Sequence, residues 1–271
     1  MRFSHPFFDV LPVLFVLFLA APGFGADAAE KPCVVVWSEG TAGKDVYPKD
    51  INGAIAEGLV RDLPNWDVVV ANLADADQGL PDALLNRCDV MIWWGHKKHG
   101  EVKDALVEKI FKRVTEQGMG FISLHSAHFA KINIKLMSVM PTRKEILDRV
   151  QPKGRVAAWG AYIADARDCF VVIKDPQHPI AAGLKDFSLK HDERYSDPYA
   201  CPEPKSIVLG GYHTLRKDPA QKDEAAMGMT WEIGKARMFY FQVGHETNPV
   251  FMDENVRKVM ANAVKWAAPT R

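Results

Sequence analysis

Short apolar runs, separated by stretches of helical spacing, constrain this chain more than any other feature. Cys33-Val34-Val35-Val36-Trp37, Trp66-Asp67-Val68-Val69-Val70, Val90-Met91-Ile92-Trp93-Trp94 and Phe121-Ile122-Ser123-Leu124 are bounded by polar or glycine-containing segments. Runs this short, rich in β-branched and aromatic residues, read as buried strands. Between them, residues 48–63 carry Ile51, Ile55 and Leu59, and residues 101–117 carry Val102, Leu106, Ile110 and Val114. That spacing gives a helix one apolar face. Residues 73–78 read as a loop, residues 81–86 as a short helix, and the segment after Leu124, up to Met140, as helical. Strand alternating with helix over short connections predicts an α/β fold: a doubly wound, mainly parallel sheet with helices on both faces.

The second half is less regular. Residues 141–167 have no clean period. Phe170-Val171-Val172-Ile173 and residues 206–212 read as strands, and residues 225–231 and 237–241 as a hairpin around Ile233-Gly234-Lys235. Residues 254–267 read as a closing helix. His178, between Gln177 and Pro179, belongs to a structural turn.

Residues 1–25 are set apart from the fold. Arg2 and His5 precede an apolar stretch, residues 10–21, followed by Gly23 and Gly25. This is the pattern of a cleavable export signal, too short for a span of about 20 residues. The expected location is therefore secreted or periplasmic, with no stable membrane insertion after cleavage. One α/β domain is expected over residues 33–268. Lys+Arg and Asp+Glu balance at 34 each, and no basic run marks a nucleic-acid partner. Cys33, Cys88, Cys169 and Cys201 match no zinc spacing. Two disulfides and four buried thiols are both open, the second favoured. A homo-oligomer is left open.

Chemistry is expected at the carboxyl ends of the strands, where parallel sheets bind ligands. His96 and His99 follow the third run, His125 and His128 the fourth, and His245 the hairpin, with His213 after the strand over residues 206–212. His96/His99 and His125/His128 have i, i+3 spacing, which on a helix puts both rings on one face. With His245 and Glu246 they could line one pocket suited to a zinc-like divalent ion. A metal-free polar pocket is the other reading. The expected metal ligands are His96, His125 and His245. Expected proton movers are His125, His128, Glu246 and Glu39, which ends the first strand. Expected substrate contacts are His99, Trp94, Ser126, Tyr195, Glu193 and His213. No nucleotide cofactor is expected. No G-x-S-x-G elbow surrounds Ser123 or Ser126, which argues against a serine hydrolase.

These residues carry a family resemblance. Asp89-Val90-Met91-Ile92-Trp93-Trp94-Gly95-His96 with His99 resembles the D-V-L-I-W-W-G-H signature of ThuA-like (trehalose utilisation) proteins. Gly118-Met119-Gly120 leading to Leu124-His125-Ser126-Ala127-His128-Phe129 resembles that family's second block. His178-Pro179-Ile180, Tyr195 and the stretch Phe239 to Thr247 match further blocks. The resemblance implies a flavodoxin-like fold similar to class I glutamine amidotransferases. It also implies a role in carbohydrate catabolism on disaccharides and their keto derivatives. The amidotransferase cysteine turn is replaced by His125-Ser126-Ala127-His128, so amidotransfer is not expected. Met229 stands where many members have cysteine, and Arg194 where methionine is common. The expected activity is metal-assisted hydrolysis, elimination or isomerisation of a sugar derivative. The alternative is a non-catalytic carbohydrate-binding protein, with Trp159, Tyr162, Tyr195 and Tyr199 as stacking aromatics.

Overall fold

In the computed structural model the first strand, β1 (Cys33–Ser38), lies between β2 (Asp67–Asn72) and β3 (Val90–Trp94), and β3 is followed outward by β4 (Gly120–Leu124). The structure describes residues 1–2, 30–164, 167–214, 218 and 220–270. The expected export signal, residues 1–25, lies outside the described residues from residue 3 onward. Between these strands run α1 (Asp50–Asp62), α2 (Asp82–Arg87) and α3 (Asp104–Thr115). A short 3₁₀ turn (His125–Phe129), α4 (Lys131–Met137) and α5 (Lys144–Leu147) follow β4. The later elements are β5 (Trp159–Ile163), β6 (Cys169–Ile173), β7 (Phe187–Leu189), β8 (Arg194–Tyr199), β9 (Ser206–Thr214), β10 (Lys222–Ile233), β11 (Ala236–Phe241) and α6 (Glu254–Ala267).

Nine strands form one sheet in the order β2-β1-β3-β4-β11-β10-β9-β6-β7, and β5 pairs with β8 in a small second sheet. From β2 to β11 every neighbour is parallel. Counted along the chain, that half is the 2-1-3-4-5 order of flavodoxin-like folds. From β11 onward the neighbours are antiparallel, which adds a wing to the expected sheet.

Strand periodicity distributes the core. In β1, Val35 and Trp37 pack on one face with Leu106, Ile110 and Val114 of α3, while Val34 and Val36 pack on the other with Ile51, Ile55 and Leu59 of α1. Val256, Val259 and Val264 of α6 cover that second face as well. Alternate side chains of a strand point to opposite faces, so a strand covered on both sides must be apolar throughout. Trp37 and Trp93 sit opposite each other in the β1–β3 register and stack at 3.8 Å, a contact worth about 0.5–1.5 kcal/mol beyond area burial.

The hairpin turns at Gly234, where φ is +59°, a conformation glycine adopts without cost. All four cysteines are buried thiols. His178 caps a short 3₁₀ turn by accepting the Ile180 N–H at 3.2 Å. Of the aromatics expected to stack a sugar, Trp159, Tyr195 and Tyr199 are buried and packed on one another. Tyr162 alone of the four is exposed. Among the described residues no helix is long and apolar enough to cross a membrane.

Candidate metal centre at the carboxyl edge

Three parallel strands and one loop deliver the site. His96 follows β3 after Gly95, His125 follows β4 directly, His245 follows β11, and Glu193 immediately precedes β8. Their nearest nitrogen and carboxylate oxygen atoms all lie within 4.8 Å of one another. His125 Nε2 is 3.5 Å from Glu193 Oε1, and His245 Nε2 is 3.6 Å from Glu193 Oε2. Four ligands held at about 2.1 Å by a tetrahedral zinc ion stand about 3.4 Å from each other, so the two contacts to Glu193 match that spacing and the group as a whole, within 4.8 Å, is looser.

The second nitrogen strengthens the fit for two of the three rings. His96 Nδ1 faces Glu246 Oε2 at 2.5 Å, His125 Nδ1 faces the Gln242 carbonyl at 2.9 Å, and His245 Nδ1 faces Thr247 Oγ1 at 2.8 Å. His96 and His125 donate Nδ1–H to a carboxylate and a carbonyl, which leaves Nε2 as the lone pair, whereas His245 Nδ1 accepts the Thr247 backbone N–H at 3.3 Å. Metal-binding histidines are oriented in this way. Zinc and similar ions take this set of three imidazoles and one carboxylate.

Backbone conformation aims the ligands. His125 has φ +50°, unusual for a residue with a side chain and typical of functional sites. That twist also parts His125 from His128. Although they share the 3₁₀ turn, His128 faces Tyr195, Tyr199 and Tyr240 rather than the metal group. Gly244 has φ +126°, and a Cβ there would fall 2.7 Å from the Phe251 ring. Trp94 Nε1 donates to the Gly244 carbonyl at 2.9 Å, fixing the turn that presents His245.

Electrostatics divide the group. Hydrogen bonding to Glu246 raises the His96 pKa. Burial lowers that of His125 well below the ordinary value, and that of His245 as well. Burial alone would raise the Glu246 carboxyl, but hydrogen bonds from His96 and Lys97 outweigh it and hold it low. Lys97 Nζ reaches Glu246 Oε1 at 2.7 Å. Burial pushes His128 down to about 3 and Asp192 up to about 7.

The structure places several of these residues apart from the histidine group. Glu39 spends its carboxylate on the backbone N–H groups of His96, Lys97 and Lys98 and on His99. His128 is wholly buried and donates Nδ1–H to the His125 carbonyl. Glu246 orients His96 and is held ionised. Trp94 is inside the core. His99 heads a different 3₁₀ turn beside Glu39, so the first H-x-x-H pair shares no helix face. His213 is buried on β9 opposite Asp223 of β10, outside the metal group. Glu193, expected to touch substrate, stands among the ligands. Ser126 and Tyr195 lie beside the group: their hydroxyls are 2.5 Å apart, and Tyr195 Oη is 3.4 Å from His125 Nε2. Sequence reasoning missed Gln242, whose side chain grips the Tyr195 backbone, and also Thr247 and Lys97. A glutamine inside the apolar run Phe239 to Val243 was the available signal for the first.

The buried groups set a pH response. The unfolded chain protonates histidines below about pH 6.5, whereas burial in the folded protein resists a charge on His125, His128 and His245. Asp192 acts oppositely, taking its proton near pH 7 when folded and near 4 when unfolded. Three histidines against one carboxyl leave the unfolded state binding more protons as the pH falls below about 6. Stability of the metal-free protein should therefore fall on acidification from about pH 6 to 4.5. Urea midpoints measured at half-unit steps check this. A flat or rising profile on acidification would refute the neutral histidines.

A flavodoxin-like α/β domain with an imidazole-rich group at the carboxyl edge of its parallel half is the class of protein these features define. The chain belongs to the ThuA family, described as trehalose utilisation, whose sequence profile matches residues 33–267. Solved structures similar to it include a ThuA-like protein from Parabacteroides merdae, at 15% identity and TM-score 0.60 over 88% of this chain and 89% of that one. A ThuA-like protein from Bacteroides uniformis is 17% identical, with TM-score 0.58 over 90% and 95%. A protein from Salmonella typhimurium LT2 described as cytoplasmic is 15% identical, with TM-score 0.55 over 87% and 99%. At these identities the likeness is one of fold. Comparison with curated proteins finds no match.

Proposed function

We propose that this protein is a metal-assisted enzyme acting on a sugar or glycoside that carries a carbonyl group, by hydrolysis, elimination or isomerisation. The observation that carries the reading is the convergence of one ring nitrogen from each of His96, His125 and His245 with the Glu193 carboxylate within 4.8 Å. The family's link to trehalose utilisation supports a carbohydrate substrate. His96, His125, His245 and Glu193 would hold a zinc-like ion. When bound, that ion supplies Lewis-acid polarisation of an oxygen or an activated water. Glu246, Gln242 and Thr247 keep the rings aimed. The Tyr195 hydroxyl, bonded to Ser126 and beside His125, is placed to hydrogen-bond a substrate oxygen and to pass it a proton. The N-terminal export pattern supports a protein that meets its substrate outside the cytoplasm.

Elemental analysis of the purified protein, followed by turnover assays on keto-glycosides with and without chelator, tests the proposal. The expected result is near-stoichiometric divalent metal, with turnover lost on chelation and restored by the ion. Sugar binding that ignores the chelator and never leads to turnover would overturn it in favour of a binding module.

A further inference from the structure

We infer that Glu39 is the positioning residue for His96: its carboxylate fills a cup of three backbone N–H groups and so fixes the direction in which His96 offers Nε2. This rests on the metal reading above. Glu39 Oε2 accepts the N–H groups of His96 at 2.8 Å, Lys97 at 2.7 Å and Lys98 at 2.8 Å. Three successive amides converge on one oxygen only when the chain curls tightly around it, a concavity that otherwise binds free anions. Here the anion is the protein's own and is buried. It comes from the end of β1, the strand next to β3, so the cup ties two strand ends together.

Gly95 makes the closure possible. A Cβ at that position would fall 2.6 Å from Glu39 Oε1 and 3.2 Å from His99 Nδ1. His99 lies 3.2 Å from the same oxygen and steadies it. His96 is therefore restrained twice: its backbone by Glu39, its ring by Glu246. His125 and His245 draw their bonds from Gln242 and Thr247 instead. Disturbing the cup should misplace one ligand of four and leave the others in register.

The experiment uses Zn²⁺ and Co²⁺ as probes on the full chain, with Glu39→Ala, Gly95→Ala and Glu39→Gln beside the wild type. Circular dichroism and a cooperative melt identify the variants that fold. Glu39→Ala and Gly95→Ala should bind Zn²⁺ about 10–100-fold more weakly and shift the visible spectrum of the Co²⁺ form. Glu39→Gln keeps one acceptor oxygen and should recover part of both. A folded Glu39→Ala or Gly95→Ala with wild-type Zn²⁺ affinity and an unchanged Co²⁺ spectrum would overturn the inference and leave the metal reading standing. A wild type that binds neither ion overturns the metal reading, and this inference with it. Should Glu39→Ala not fold, Gly95→Ala and Glu39→Gln decide by the same two readouts.

Discussion

His125→Ala is expected to take the metal content of the purified protein from about one ion per chain to near zero, with the fold retained. His125 has Nε2 beside Glu193, and its ring lies 5.7 Å from that of His96 and 5.4 Å from that of His245. Three ligands would remain, one of them a loop carboxylate. The cost to the fold is moderate. The substitution removes the hydrogen bond to the Gln242 carbonyl, worth about 1 kcal/mol, and leaves a small polar void. The left-handed backbone at φ +50° is no worse for alanine than for histidine. A total of about 2–3 kcal/mol is well inside the usual stability of a domain. Elemental analysis after gel filtration reads the result, with His178→Ala, at the remote 3₁₀ turn, as the control outside the group. Stoichiometric metal in a folded His125→Ala would move the site elsewhere, and loss in His178→Ala would mean the group is drawn too narrowly.

Asp223→Ala should cost about 3–5 kcal/mol of stability, which is the largest single effect expected away from the site. Arg194 on β8 is wholly buried. Its guanidinium donates to the Gly211 carbonyl at 3.2 Å, to the Asp223 carbonyl, and to Asp223 Oδ2 at 2.5 Å. Removing the carboxylate leaves the buried guanidinium hydrogen-bonded to carbonyls alone, with Asp197 as the remaining carboxylate in its field. The Asp223 side chain is a quarter exposed, so entering water offsets some of the loss and the lower half of the range is expected. Arg194→Met removes the charge itself and keeps an unbranched side chain of similar length. Combined with Asp223→Ala, it should restore much of the lost stability. Urea unfolding of both single variants and the double variant gives the coupling. A cost under about 1 kcal/mol for Asp223→Ala would show a pair too well hydrated to matter.

The parallel half was legible because each strand is an apolar run and each long helix an apolar stripe. β5 was not. Trp159-Gly160-Ala161-Tyr162-Ile163 packs on the core through Trp159 and leaves Ala161 and Tyr162 exposed, so no run announces it. β7 is three residues long, below what periodicity can register. At the site, His96, His125 and His245 could be found because each follows an apolar strand. Glu193 was seen as a polar neighbour, but its place among the ligands depends on how the chain enters β8. The H-x-x-H spacing misled for a physical reason. It assumes a regular helix, whereas His96 lies in an open turn and His125 carries a positive φ, so each pair splits. Trp94 and Glu39 show the opposite error. Both stand at strand ends beside the site, yet each is turned inward to hold the backbone that carries a ligand.

The four candidate ligands stand at positions 96, 125, 193 and 245. An ion joining them would close loops of roughly 30, 70 and 50 residues, spans at which cross-links restrict an unfolded chain by several kcal/mol. It would also pin the flavodoxin-like half to β8 and to the loop after β11, so that neither part could come undone alone. Metal release, rather than melting of the sheet, would then govern how long the folded protein lasts. Depletion of the ion would shorten its lifetime long before it altered the fold seen at equilibrium.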